Sequence, residues 1–536
     1  MKLYTAMSRA LLDHGVDTIF GLMGDVNMLY LSSFLDAGGQ LVRVAHEGSS
    51  VGMADAWSRL TGRIGVASVT HGPALTNTMT SLVEASRAGS RVLVLTGQTP
   101  LDPTHFQRID IAAIAAAAEV GYEKVHRPES LGRDLDRALQ RIEAEQRPVI
   151  LDLPIHLLRH EIEPVTVHPP VAPTPRTPDL DDLDDVIGLL AAAHHPIVLA
   201  GRGALRSGAR EALIALADAL AAPLATTALA KDLFTGHPSN IGICGNLSHG
   251  VASTALAQAD VIIAFGGSLN TYTAHGGEVF AGKKVIQVDT NPGAFNWFTP
   301  VDHGVCGDAA IVAELLTDAL DEAGHRPARG WLDGLQRQLV EHRHDLDYRD
   351  RSGADTLDPR TASIRLNDLL PPDRVLVSDI GRYVVGAWPY LQVPAGGRFT
   401  SMGAFGAIGL GLAGAIGASV AHPEALTILA IGDGGLAMSL AELPTAIRDR
   451  RRLLVLLYND GAYGAEYYKL VHFGEDADHS LNSWPEIVPA VEAMGGSGLV
   501  ARTLADLDAV PALLEAADGP VVVDIRMDPR VNILAE

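Results

Sequence analysis

The chain has 536 residues, enough for three or four domains of the usual ~150 residues each and for a substantial apolar core. Its 41 Lys and Arg against 64 Asp and Glu leave a formal charge of −23, which argues against a nucleic-acid backbone as partner and points to a soluble protein binding small anions at local positive sites. Two cysteines, Cys244 and Cys306, build no disulfide framework and lack CxxC metal spacing, so a reducing cytoplasm is the expected setting.

The first residues, MKLYTAMSRALLDHGVDTIFG, read as a folded helix and strand; they show no basic segment followed by an apolar signal core. Residues 1–160 alternate β-rich runs with helical ones, including 41–44, 64–70, 91–97 and 148–153, which predicts a parallel sheet covered by helices on both faces. Four segments of this unit carry candidate chemistry. FGLMGDVN (20–27) places Asp25 in a loop. RVAHEGSSVGMADAW (43–57) follows an apolar strand and opens a helix, so Glu47 falls at the strand's carboxyl end, either as a functional acid or as a helix-start carboxylate favoured by the helix dipole. THGPALTN (70–77) contains His71, and Phe106-Gln107 follows the next strand.

Residues 160–179 contain six prolines and read as an extended linker. A second alternating unit spans 180–325, with strands expected at 197–200, 261–265 and 284–288. Its GRGALRSG (201–208) has the wrong spacing for a dinucleotide fingerprint and reads as a strand-to-helix turn. The charged, aperiodic stretch 341–360 is a second linker, and a third unit runs from 361 to 536. Within it, 404–421 is the longest apolar stretch, too rich in Gly and Ala for a membrane span and expected instead as a buried crossover helix.

The densest chemistry lies in 429–461, LAIGDGGLAMSLAELPTAIRDRRRLLVLLYNDG. One strand delivers Asp433; the 24 residues from Gly435 to Tyr458 supply a helical crossover and a second strand, which delivers Asn459 at the same edge. A carboxylate, an amide oxygen, a loop carbonyl at Gly461 and two phosphate oxygens suit the octahedral oxygen shell of Mg2+. Gly434 and Gly435, beside Gly432, let backbone amides approach a diphosphate closely.

This span resembles the signature of thiamine diphosphate enzymes, in which GDG is followed at this spacing by an asparagine pair; here the pair is Tyr458-Asn459. The three units match, in order, the pyrimidine-binding, central and diphosphate-binding domains of the acetolactate synthase, pyruvate decarboxylase and benzoylformate decarboxylase superfamily, which implies an α/β fold of three doubly wound parallel-sheet domains. The resemblance implies thiamine diphosphate and Mg2+ as cofactors, with Asp433, Asn459 and Gly461 on the metal. Glu47 then contacts the aminopyrimidine N1′, where a glutamate shielded from water can share a proton near neutral pH. FGLMGDVN is similar to the FGLPGDFN of decarboxylases and makes Asp25 a catalytic candidate, but their tandem histidine pair is missing from this unit. THGPALTN is similar to the TSGPGATN of synthases with His71 in place of serine, and Gln107 matches their cofactor-facing glutamine. In GAFGAIGLG (403–411), Gly406 and Ile408 align with the loop that bends the cofactor, a stiff branched side chain suiting that task.

Arg382, in SDIGRY (378–383), stands where synthases have DVGQHQ beside the diphosphate, either contacting phosphate or solvated. AYGAEYYK (462–469) departs from the decarboxylase pattern of a glutamate six residues past the asparagine, since the sixth is Ala465 and the seventh Glu466; Tyr463 and Glu466 are candidates for the pocket wall. Residues 266–271, GGSLNT, replace the GVRFDD of FAD-binding synthases, which makes FAD doubtful.

The function implied is a decarboxylase or carboligase acting on a small 2-oxo acid through the cofactor's C2 ylide and an enamine, in a homodimer or homotetramer, without nucleic-acid or membrane partners. The alternatives are a thiamine enzyme cleaving a diketone or an acyl-CoA compound, a noncatalytic cofactor-binding paralogue, and, without the cofactor, a nucleotide-binding redox protein.

Overall fold

A computed structural model describes residues 1–100 and 102–533, so the last three residues of the third predicted unit lie outside the described residues. Short Val-, Ile- and Leu-rich runs become the central strands, buried on both faces, and all of the strand pairings are parallel. In the first sheet, β1 (Thr18–Gly21), β2 (Gln40–Arg43), β3 (Gly65–Ser68), β4 (Val92–Thr96), β5 (Gly121–Lys124) and β6 (Val149–Asp152) lie in the order β2-β1-β3-β4-β6-β5. The second sheet holds β7 (Pro196–Ala200), β8 (Leu224–Thr226), β9 (Asn240–Ile243), β10 (Val261–Phe265), β11 (Lys284–Asp289) and β12 (His303–Cys306), ordered β12-β11-β10-β7-β8-β9. The third holds β13 (Arg374–Ser378), β14 (Phe399–Ser401), β15 (Leu426–Gly432), β16 (Leu453–Asn459), β17 (Ser497–Ala501) and β18 (Val521–Arg526), ordered β14-β13-β15-β16-β18-β17. The α/β class of three doubly wound parallel sheets is therefore observed. In each sheet the strand order reverses near the middle, the position at which such folds bind ligands beyond the strands' carboxyl ends.

The first and third sheets share one apolar core, in which Val51, Met53 and Ala54 meet Leu412, Ile416 and Leu429. The helix Glu47–Thr61 packs on the helix Gly411–Ala421 at the distance small residues allow: a Cβ at Gly417 would lie 2.2 Å from the Met53 carbonyl oxygen. Between β6 and the helix Asp181–Ala192, the proline-rich stretch has no regular element beyond the turn Ile155–Leu157 and a bridge from Glu161 to Lys2. Among the described residues no helix is long and apolar enough to cross a membrane.

One expectation needs correction. The stretch 404–421 is helical only over Gly411–Ala421, and 404–410 is a loop. Gly406 and Gly409 take φ of +86° and +89°, which a helix does not accommodate.

Candidate active site

The candidate residues of the first unit follow four adjacent strands. Asp25 comes after β1, Glu47 after β2, His71 after β3 and Gln107 after β4, and these four strands are neighbours at one end of the sheet order. The third unit repeats the arrangement, with Arg382 after β13, Ile408 after β14, Asp433 after β15 and Asn459 closing β16. Parallel strands whose connections all cross back over the sheet bring each set to a single edge.

Glu47 is the first residue of its helix, where a carboxylate suits the N-terminal end of the dipole. His46 caps the helix, its Nδ1 accepting from Gly48 N at 3.1 Å. Asn77 Nδ2 donates to Glu47 Oε2 at 3.0 Å, so the THGPALTN loop orients the carboxylate. Asp25 is exposed, in a loop that Asn27 ties to the strand ends by accepting from Gly24 N at 2.7 Å and donating to Ser68 Oγ at 3.0 Å.

His71 and Gln107, separated by 36 positions, meet directly: His71 Nε2 lies 2.8 Å from Gln107 Oε1, and an amide oxygen only accepts, so Nε2 carries the proton. That leaves Nδ1 as an acceptor, buried and without a hydrogen-bond partner. Gly72 makes the approach possible, with φ +62° and the Gln107 carbonyl oxygen 2.5 Å from where its Cβ would stand.

In the third unit Asp433 is buried and its Oδ2 has no hydrogen-bond partner. Burial, and then the nearby Asp460, push its carboxyl up to about 7. Asn459, closing the neighbouring strand β16, is buried, its Nδ2 donating to Asp524 Oδ1 at 2.9 Å and its Oδ1 accepting from Gly461 N at 3.2 Å. Gly461 has φ +63°, and its carbonyl accepts from Asn482 N at 2.7 Å while keeping a second lone pair. Gly434 and Gly435 are held free of side chains by their neighbours: a Cβ on the first would stand 2.8 Å from the Tyr463 ring and 3.8 Å from Ile408 Cδ1, and on the second 2.8 Å from Asp379 Oδ2. Ile408 and Tyr463 thus border the same cradle. Glu466 is turned to an ion pair with Lys469 at 3.3 Å.

The residues fit a metal diphosphate on their own chemistry. An orphaned buried carboxylate oxygen is costly, and a hard cation beside an amide oxygen and a free carbonyl lone pair would offset that cost.

Arg382 corrects an expectation. It is buried, and its donors go to Asp460 Oδ2 at 2.7 Å, Tyr468 OH at 3.2 Å, the Val531 carbonyl at 2.7 Å and the Asp528 carbonyl at 3.0 Å. Four of its five donors are committed to protein acceptors, so it braces the segment after β16 instead of facing a phosphate.

Three buried acids escaped the sequence reading. Asp379 accepts from Ile380 N at 2.8 Å and Gly409 N at 2.7 Å, joining the Ile408 loop to the loop after β13; burial pushes its carboxyl up to about 7. Glu84, from the first unit, accepts from Ala404 N at 2.9 Å, Phe405 N at 2.7 Å and Arg59 Nη2 at 2.9 Å, so it shapes the start of the same loop from across the shared core. Glu442 accepts from Ala45 N at 3.0 Å, two residues before Glu47. Each is a single charged residue inside an otherwise apolar or helical run, a weak signal by itself. In the second unit the glycine turns pack backbone on backbone, with Gly203 N donating to the Gly266 carbonyl at 2.8 Å, and GRGALRSG is a strand-to-helix turn as read.

Fold and site together define a doubly wound α/β protein with two carboxylates, a histidine and a glutamine after the strands of one sheet and a glycine-lined cradle with a buried, unpartnered carboxylate oxygen on another. Family descriptions match the chain in three places: "Thiamine pyrophosphate enzyme, N-terminal TPP binding domain" over residues 1–114, the central domain over 183–316 and the C-terminal TPP binding domain over 379–525. The chain belongs to the thiamine pyrophosphate enzymes. It is 29% identical over 531 residues to a sulfoacetaldehyde acetyltransferase of Rhodobacter capsulatus, covering 94% of this chain and 90% of that protein. It is 27% identical over 511 residues to the acetolactate synthase isozyme 3 large subunit of Escherichia coli, covering 92% and 88%, and 26% identical over 543 residues to the acetolactate synthase large subunit of Buchnera aphidicola, covering 98% and 94%.

Proposed function

We propose that this thiamine pyrophosphate enzyme decarboxylates a small 2-oxo acid and either releases the aldehyde or ligates it to a second carbonyl compound, with Mg2+ anchoring the diphosphate. The observation that carries the proposal is the unpartnered, buried Asp433 Oδ2 at the same strand edge as Asn459. Asp433, the Asn459 amide oxygen and the Gly461 carbonyl would hold the metal, and Gly432, Gly434 and Gly435 would let the backbone approach the phosphates. Thiamine diphosphate supplies, when bound, a carbon acid and an electron sink for cleavage of the bond beside a 2-oxo group.

The protein's residues supply position and protons. Glu47, oriented by Asn77, would hold a proton at the pyrimidine N1′, and Ile408, which borders Gly434, would brace the cofactor from beneath. His71 and Gln107 form a linked pair on the adjacent strand ends, and His71 Nδ1, buried and without a partner, is the atom that would exchange a proton there. Asp25 is a second acid at that edge. Domain boundaries near 160, 180, 325 and 361, and a homodimer or homotetramer in the cytoplasm, belong to the same reading. Met23, Phe106, Phe405, Met438 and Tyr463 are large apolar side chains exposed around the strand-end loops, a rim that a second copy would cover while excluding water. This chemistry calls for no flavin.

A relative named sulfoacetaldehyde acetyltransferase supports a second reading, in which the substrate is an activated carbonyl compound other than a 2-oxo acid. Carbon dioxide release and carbon–carbon ligation should be followed over a panel of 2-oxo acids, with sulfoacetaldehyde alongside, at saturating thiamine diphosphate and Mg2+. Turnover of a 2-oxo acid supports the first reading, turnover of sulfoacetaldehyde alone the second, and no turnover with cofactor bound contradicts both.

A further inference from the structure

Histidines gather where the second linker crosses the central unit. His249 opens the helix Gly250–Gln258, its Nδ1 accepting from Ala252 N at a long 3.3 Å. Asp347 reaches the same helix end, Oδ1 accepting from Gly250 N at 3.0 Å, while its Oδ2 lies 2.7 Å from His342 Nε2. The His249 and His342 rings lie 4.3 Å apart, and His344 stands edge-on to His342 with centroids 5.0 Å apart. His344 Nδ1 is buried without a hydrogen-bond partner, 4.0 Å from Asp347 Oδ2. Its ring also stands edge-on to Tyr390, 5.5 Å away, in the segment between β13 and β14.

Three imidazoles around one carboxylate, one of them with an orphaned nitrogen, make a poor packing device, because an unmet buried polar atom costs free energy. They make a good ligand set. One atom each from His249, His342 and Asp347 lies within 4.8 Å of the others. A tetrahedral ion with ligands at about 2.0–2.2 Å needs them roughly 3.4 Å apart, so the His249 and His342 rings would turn out of their present stacking to direct one nitrogen each at the ion.

We propose that His249, His342 and Asp347 form a site for a divalent transition metal of the zinc class, with His344 Nδ1 as the fourth ligand. Imidazole with a single carboxylate suits zinc and disfavours Mg2+ and Ca2+, which take oxygen ligands. Coordination replaces the weak cap at Ala252 and fastens residues 342–347 to the central unit beside Tyr390, so the ion acts as a structural clasp on the linker. The site is independent of the proposed catalytic reading.

The test uses the full chain, tag removed and stripped with a chelator, titrated with Zn2+ by calorimetry and with Co2+ by visible absorption. Wild type should take up one ion per chain with the strong ligand-field bands of four-coordinate Co2+. His342→Gln and Asp347→Asn should weaken binding by at least about tenfold, since even groups that only support a ligand cost that much. Asp433→Ala should bind as wild type does. X-ray absorption on zinc-loaded wild type should show an imidazole shell, a readout that stands if a variant misfolds. Absence of saturable binding, binding unchanged in His342→Gln, loss in Asp433→Ala, or a zinc shell without imidazole would each overturn the proposal.

Discussion

Gly417→Ala tests the contact that couples the Glu47 helix to the helix behind the Ile408 loop. In a helix interior this change ordinarily stabilises by about 0.5–1 kcal/mol, because Ala loses less backbone entropy than Gly. Here the added methyl would stand 2.2 Å from the Met53 carbonyl oxygen and 2.8 Å from its Cα, in backbone that cannot rotate away. Overpacking of a tight core costs about 1–3 kcal/mol, and backbone contact belongs at the upper end, so the net effect is a loss of about 2 kcal/mol. At about 2–4 °C per kcal/mol for a domain of this size, the transition should fall by roughly 4–8 °C. Gly188→Ala is the matched control: it also lies in a helix, with nothing within 4 Å of the new methyl, and should raise the transition slightly. Both are read by calorimetric unfolding of the cofactor-free protein. A Gly417→Ala transition that rises as the control does would refute the close packing of these helices.

Glu84→Gln should destabilise by about 3 kcal/mol, the low end for breaking a buried ion pair because Arg59 keeps Asp55, and should weaken cofactor binding through the Ala404–Phe405 turn; denaturation with cofactor titration checks both. Asp379 titrates at about 7 in the fold against an ordinary 3.8, so the fold favours its protonated form. Its contribution is complete below about pH 4 and is lost as pH rises through about 7, and Asp379→Asn should flatten the stability profile of the cofactor-free protein across that window; superimposable profiles would contradict this. Asp433→Ala and Asn459→Ala should each abolish activity beyond rescue by saturating cofactor and Mg2+, because a hard cation held by few protein groups tolerates no such loss, and unchanged cofactor affinity by calorimetry would dismiss the metal assignment.

The strands were legible because each central run is apolar on both faces, as β15 and β16 are, and such runs have few alternatives to a parallel sheet. That Asp433 and Asn459 come to one sheet edge was legible because their spacing is local. The loop 404–410 was not, since small residues announce close packing without revealing positive φ at Gly406 and Gly409. Arg382 was misread because its partner Asp460 lies 78 positions away, and Glu84 stayed hidden because the amides it holds are 320 and 321 positions distant. Tertiary pairing of a charged group leaves little trace in its own neighbourhood.

Exchange of the thiamine diphosphate C2 proton in deuterium oxide, compared between wild type and Glu47→Gln at saturating cofactor and Mg2+, bears most directly on the proposed chemistry. The amide cannot ionise as the N1′ partner, so the variant should bind cofactor and exchange at least about a hundredfold more slowly, the low end for a positioned acid or base. Wild-type exchange in Glu47→Gln would show that the carboxylate only caps its helix.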